Sequence, residues 1–277
     1  MIKTIYARRS VRTFKKTQVK PKDLQKIVNI LKSAETQKNP FDNDIKFFMI
    51  EDTFTQSNQK MKIGTYGFVK NPQGFVGGKV NHTFDALIDF GYQFEGVILE
   101  LTKINIGTVW LGGTFKRKQF EHLLEHDEII PAISPIGYPD EKKSWRERFI
   151  RNRAKSDKRK PFEMLFFNQS TQQPLSLSHP LAHLLKLVQS GPSASNKQPW
   201  RLSVDESSVH VFFERTNNYA SFLSYDIQAL DIGIAIKHFE LGLTEEKVPY
   251  TLIRHTSEPK LKDYQYIISF EFERSYL

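Results

Sequence analysis

The chain has 277 residues, 39% apolar and 26% charged, with a formal net charge of +9, so it can bury one large core or two modest ones and is neither fibrous nor disordered by composition. It contains no cysteine, which excludes a disulfide framework, a thiolate metal site and a cysteine nucleophile. No apolar run approaches the roughly 18 residues of a membrane-spanning helix. In chain order, the stretch from Met1 to Arg8 lacks the continuous apolar core of a signal peptide, and a cytoplasmic protein is expected. It leads into Arg8-Arg9-Ser10-Val11-Arg12-Thr13-Phe14. Guanidinium forks and a hydroxyl suit a phosphate, because each fork binds two oxygens at fixed geometry. Leu24, Ile27, Val28, Ile30 and Leu31 have the spacing of an amphipathic helix ending near Ser33, and Asn39-Pro40-Phe41 marks a turn. Gly74-Phe75-Val76-Gly77-Gly78 lacks both the Gly-x-Gly-x-x-Gly spacing of a dinucleotide fold and the Lys-Ser/Thr ending of a P-loop.

A long helix is expected from about residue 85 to 103, followed by Gly107-Thr108-Val109-Trp110-Leu111-Gly112-Gly113-Thr114-Phe115. That segment is either a plain strand-to-turn transition or a place where glycines let backbone approach a flat ligand without a Cβ clash. His122 and His126 lie at helical spacing beside Glu121 and Glu125, without a His-Glu-x-x-His order or a clear third ligand, so no metal is expected. Residues 141–160 hold ten Lys or Arg against three acids, a local +7 that leaves only +2 for the rest of the chain. A solvated linker helix around 144–154 is the expected reading, and nucleic acid is not the expected partner. Farther on, Leu181, Leu184, Leu185, Leu187 and Val188 predict another amphipathic helix ending at Ser190. It runs into Gly191-Pro192-Ser193-Ala194-Ser195-Asn196-Lys197-Gln198-Pro199-Trp200, a loop of hydroxyls and amides at a helix end, in which Trp200 is expected to be a buried anchor. No Gly-x-Ser-x-Gly elbow occurs, so a serine hydrolase is disfavoured.

The chain repeats itself. Leu24, Ile27, Val28, Ile30, Leu31 and Ser33 match Leu181, Leu184, Leu185, Leu187, Val188 and Ser190 at an offset of 157, with Asn39-Pro40-Phe41 set against Gln198-Pro199-Trp200 after a gain of two residues. Asp89, Gly91, Leu99 and Leu101 match Asp231, Gly233, Leu241 and Leu243 at an offset of 142. Helical periodicity alone produces some such matches; the shared Asp-x-Gly and Ser positions argue for a duplicated half-domain. The expected divisions are a first half over 1–140, a basic linker over 141–160 and a second half over 161–277.

The two polar segments, Arg8 to Phe14 and Gly191 to Trp200, resemble the FMN-binding segments of the nitroreductase family, which normally come from different subunits of a homodimer and here lie in one chain. The resemblance implies an α+β fold of two tandem half-copies, each with a mainly antiparallel sheet flanked by helices, packed as a single-chain pseudo-dimer. It implies an FMN oxidoreductase with ping-pong hydride transfer from NADH or NADPH to a small electron acceptor such as a nitroaromatic or quinone. No side chain is then needed as a catalytic acid or base. Arg8, Ser10 and Arg12 would hold the phosphate, with Arg9 toward the ring or ribityl end. Arg159, in Lys158-Arg159-Lys160-Pro161, matches the family's late basic segment. Pro192, Ser193, Ser195, Asn196 and Gln198 would serve the ribityl chain and pyrimidine edge, and Leu111, Gly112 and Gly113 the reactive edge. One complete site, hence one FMN per chain, is expected. The polar, aromatic stretches 66–75 and 216–225, lying between predicted elements, read either as substrate lids or, each taken singly, as inert surface loops. The alternative is a non-catalytic flavin- or nucleotide-binding module whose basic segment docks an acidic partner.

Overall fold

The computed structural model describes residues 1–51, 69–140 and 158–273. The expected linker helix at 144–154 and the start of the expected lid at 66–75 lie outside the described residues. In the first half, α1 (Ile2–Ala7) precedes α2 (Pro21–Glu35), β1 (Lys46–Glu51), β2 (Gly74–Asn81), α3 (Phe84–Lys103), β3 (Glu128–Ile129) and β4 (Ile133–Ile136). The second half contains β5 (Phe166–Asn168), α4 (Ala182–Gln189), β6 (Trp200–Val204), β7 (Ser208–Phe213), α5 (Gln228–Glu245), β8 (Thr251–Ile253) and β9 (Gln265–Glu271).

Local chemistry explains where the helices start. Pro21 opens α2 at the position where its fixed φ suits a helix and its missing N–H costs nothing. Thr83 caps α3, its Oγ1 accepting the Ala86 N–H at 3.3 Å, and Asp85 sits in the first turn where the helix dipole favours an anion. Helices α3 and α5 are buried over most of their length, as central helices are.

The two sheets have the same order. In the first, β2 pairs antiparallel with β1 on one side and β4 on the other, and residues 107 and 111 bridge to Gly137 and Ile133 on the far side of β4. In the second, β7 pairs antiparallel with β6 and β9, and β8 lies outside β9, while β5 joins β6 in parallel. In each half the outermost segment therefore follows the central helix. The fold is α+β, two halves each with a mainly antiparallel sheet flanked by helices, joined through α3 and α5.

That junction is two-fold in character. A Cβ on Gly91 would lie 2.2 Å from the Leu230 carbonyl oxygen, and one on Gly233 would lie 2.0 Å from that of Ile88. Gly91 and Gly233 differ by 142, and so do Ile88 and Leu230. The contact is reciprocal, and it brings the two backbones close enough that only glycine fits at either position.

The first-helix register differs from the expected offset of 157. Glu35 ends α2 and Gln189 ends α4, while Lys46 starts β1 and Trp200 starts β6; both pairs differ by 154. The Phe41 N–H donates to Asp89 at 3.1 and 3.2 Å, as the Ala194 N–H donates to Asp231 at 3.0 and 3.1 Å. Phe41 is thus the structural counterpart of Ala194 and not of Trp200, which is fully buried at the start of β6. A shift of three residues is almost one helical turn and leaves the apolar face in place, so periodicity could not detect it.

Candidate functional site

A cavity of about 480 Å³ opens between the halves, within the usual range for small-ligand sites. Its first wall is built on the 107–111 segment. The Val11 N–H donates to the Thr108 carbonyl at 2.8 Å, and Ser10 bridges to Thr108 in parallel, so the N-terminal motif runs along that edge. Arg8, Arg9, Ser10 and Arg12 all line the cavity, as do Trp110, Gly112 and Gly113. Arg8 Nε is buried without a hydrogen-bond partner, 3.8 Å from a Glu95 oxygen. The Gly112 turn is pinned by Arg117, which donates to the Gly112 carbonyl and to the Tyr225 hydroxyl; Tyr225 in turn donates to the Pro131 carbonyl at 2.5 Å.

The second wall is the loop after α4, contributing Pro192, Ser193, Ala194, Ser195 and Asn196. Ser195, Asn196 and Gln198 have φ of 46°, 56° and 48°. Left-handed backbone costs a non-glycine residue about 1 kcal/mol or more, so the surrounding bonds must impose this shape. The Asp231 carboxylate accepts from the Ala194 N–H, and Ser193 Oγ accepts the Gln198 N–H at 2.9 Å. Arg159 donates to Asn196 Oδ1 at 3.2 Å and to the Ser190 carbonyl at 3.1 Å, and Asn196 Nδ2 donates to the Lys158 carbonyl at 2.6 Å. Tyr219, from the 216–225 loop, donates its hydroxyl to Ser195 Oγ at 2.8 Å. Burial pushes the Asp231 carboxyl well up, against the lowering effect of the Ala194 N–H.

Arg159 lines the cavity as well as bracing this loop. Two expected site residues are placed elsewhere. Leu111 is buried with Val109, Phe115 and Ile133, and its backbone bridges to Ile133. Gln198 is also buried outside the cavity; its Oε1 accepts the Lys160 N–H at 2.9 Å and its Nε2 donates to the Asn196 carbonyl at 3.2 Å. It holds the loop from behind. Of the two expected lids, 216–225 contributes Tyr219, Ala220, Phe222 and Leu223 to the cavity, while Phe75 is buried in β2.

Sequence reasoning missed the floor. Ile227, Leu230, Asp231 and Ile234 line the cavity from the start of α5. Their spacing of three and four residues is a helix face, a readable signal, but nothing in it distinguishes a cavity wall from core.

The duplicated position is filled. At the offset of 142, Gly112 corresponds to Arg254 and Asp85 to Ile227. Arg254 makes two hydrogen bonds to Asp85, at 2.7 and 2.9 Å, and its guanidinium lies 4.2 Å from the Phe41 ring centre. Three side chains thus occupy the second position where the open cavity presents Gly112, Ile227 and Ala194. Among the described residues no group of three or more acidic or His side chains is placed to hold a metal, and no helix is long and apolar enough to cross a membrane.

Comparison with known proteins gives a family-model match to “Putative TM nitroreductase” over residues 1–243. A solved structure of that description from Thermotoga maritima is 20% identical, with 98% of this chain and 93% of that one covered and a TM-score of 0.61, a likeness of fold. An FMN-dependent nitroreductase from Clostridium difficile is 21% identical over 52% of this chain and 90% of its own, with a TM-score of 0.39. A nitroreductase with bound FMN from Bacteroides fragilis is 17% identical over 52% and 90%, also at 0.39. No curated protein matches the chain.

Proposed function

The chain belongs to the TM nitroreductase family, and from that membership we propose that it is an FMN-dependent oxidoreductase passing hydride from NADH or NADPH to a small electron acceptor, nitroaromatic or quinone-like. The observation that carries this reading is the convergence on one cavity of the Arg8–Arg12 edge and the constrained 192–196 loop, 180 or more residues apart in the chain.

The donor set fits FMN part by part. A phosphate dianion calls for guanidinium and hydroxyl donors, which Arg8, Ser10 and Arg12 would supply with Arg159 opposite. The ribityl hydroxyls and pyrimidine edge would be met by Ser193, Ser195, Asn196 and the backbone from Pro192 onward, with Arg9 at the open side. Gly112 and Gly113 would bring backbone against the ring. The chemistry supplied by bound FMN is a two-electron hydride relay in ping-pong order. The chain's residues bind and orient, and none is needed to move a proton to start the reaction.

The filled counterpart site supports one FMN per chain, and the halves 1–140 and 161–277 with a linker at 141–160, acting as a single-chain pseudo-dimer in the cytoplasm, belong to the same reading. The decisive experiment is an absorption spectrum of the purified protein with flavin stoichiometry, followed by anaerobic NADH or NADPH. Flavin bands near about 370 and 450 nm, bleached by the nicotinamide, are expected. A colourless protein that takes up no added FMN refutes the proposal. Replacing Arg8 and Ser10 together with Ala should strip the flavin and leave the fold intact; stoichiometric flavin in that variant would refute the phosphate placement.

A further inference from the structure

Glu95 is a carboxylate with no exposure at all, on α3 at the junction of the two halves. Burying an ionised carboxylate costs several kcal/mol unless partners repay it. Its partners are specific. Oε2 accepts the Trp110 indole N–H at 2.9 Å, Oε1 lies 3.0 Å from His238 Nε2, and the same Oε1 lies 3.8 Å from Arg8 Nε. His238 Nδ1 faces the Leu187 carbonyl at 2.8 Å, and that oxygen can only accept, so Nδ1 carries a proton and donates it. Arg8 and Trp110 both line the cavity; Glu95 and His238 do not.

The duplication shows whether the fold itself requires this charge. The counterpart of Glu95 at the offset of 142 is Lys237, which donates to Glu240 at 2.8 Å and lies 4.1 Å from the Tyr92 ring centre. Were an acid needed for α3 to pack on α5, the two-fold related position would need one too. The two-fold related position instead holds a base, paired with Glu240 one turn on.

We propose that Glu95 is a positioning residue of the open cavity, fixing the Arg8 guanidinium and the Trp110 ring for an anionic cofactor through its Oε1 and Oε2. The proposal rests on the FMN reading and deepens it. A guanidinium presents five N–H donors in a rigid fork. A carboxylate on the Nε side therefore orients the fork without consuming the donors that a phosphate or a flavin edge would take. Glu95 acts through Arg8, so the two should not contribute independently.

The test is a double-mutant cycle read as the Kd for FMN, by quenching of flavin fluorescence, with Glu95→Gln, Arg8→Gln and the pair. Gln keeps an acceptor for Trp110 and offers an N–H to a neutral His238, so the apo-protein melting temperature should hold. Glu95→Gln is expected to weaken FMN about tenfold, Arg8→Gln by more, and the pair no more than Arg8→Gln alone. Additive losses, or wild-type affinity in Glu95→Gln, overturn the proposal. Should Glu95→Gln fail to fold, the apolar pair Glu95→Leu with His238→Leu removes the buried charges together, a replacement that folds commonly tolerate; unchanged FMN affinity there overturns the proposal as well. A wild-type protein that binds no FMN refutes the functional reading instead, so the two failures are told apart.

Discussion

Single residues carry two expectations that follow from burial. His210 is 6% exposed, its Nδ1 is 2.7 Å from Ser269 Oγ, and burial lowers its pKa to about 4, with Asp205 opposing and His255 assisting. An unfolded chain protonates this histidine near its ordinary value of about 6.5, while the folded chain resists until about 4, so stability is lost as pH falls through that window. The loss should be about 2–4 kcal/mol from this residue, and urea unfolding across pH 4 to 7 should show a shallower slope in His210→Gln. Asp231 is the second case. Asp231→Ala leaves the Ala194 N–H without its acceptor, which should cost about 1–3 kcal/mol in apo-protein unfolding and weaken FMN through the loosened 192–196 loop. At this scale the sequence was informative about residue type and silent about direction. Eleven of the thirteen expected site residues line the cavity. Leu111 and Gln198 do not, because Leu111 packs into the core with Ile133 and Gln198 turns to accept the Lys160 N–H, partners that a motif does not contain.

Helices and strands set the next expectations. Gly233→Ala would put a methyl 2.0 Å from the Ile88 carbonyl oxygen, with backbone on both sides and nowhere to yield. It should destabilise by about 3 kcal/mol or prevent folding, measured as a fall in melting temperature. Gly96→Ala on α3 is the control, since its Cβ would meet only the flexible end of Lys237 at 3.3 Å. There the helix propensity of Ala should leave stability unchanged or raise it by up to about 1 kcal/mol. Arg254→Ala breaks a partly exposed pair with Asp85 and uncovers Phe41, and a loss of about 1 kcal/mol is expected, with FMN affinity unaltered because the open cavity is untouched. Helices α2, α3 and α4 were legible, α3 almost to the residue. The offset between α2 and α4 was not, because apolar positions recur nearly every turn and a slip of three residues leaves the pattern intact. Only the caps made by Asp89 and Asp231, contacts across 48 and 37 residues, fix it.

For the whole molecule the expectation is asymmetry: one flavin per chain, measured as FMN released on denaturation against protein concentration, with two per chain contradicting the filled second position. The sequence by itself determined the family resemblance, the recurring apolar and Asp-x-Gly positions and the two polar segments, because each rests on residue types at fixed spacing, which covalent order specifies. It also determined that the halves differ, since only the first has the Arg-rich entry and only the second the Pro-Ser-x-Ser-Asn loop. The tertiary structure decided which groups share a cavity: the α5 floor of Ile227, Leu230, Asp231 and Ile234, the buried Glu95 behind Arg8, and the Arg254, Asp85 and Phe41 cluster in the second position. Glu95 meets Arg8, and Arg254 meets both Asp85 and Phe41, across more than 80 positions, whereas Ile227–Ile234 lie on a single helix face. Their occurrence depends on how two sheets and two central helices pack, and a linear pattern carries no record of that distance.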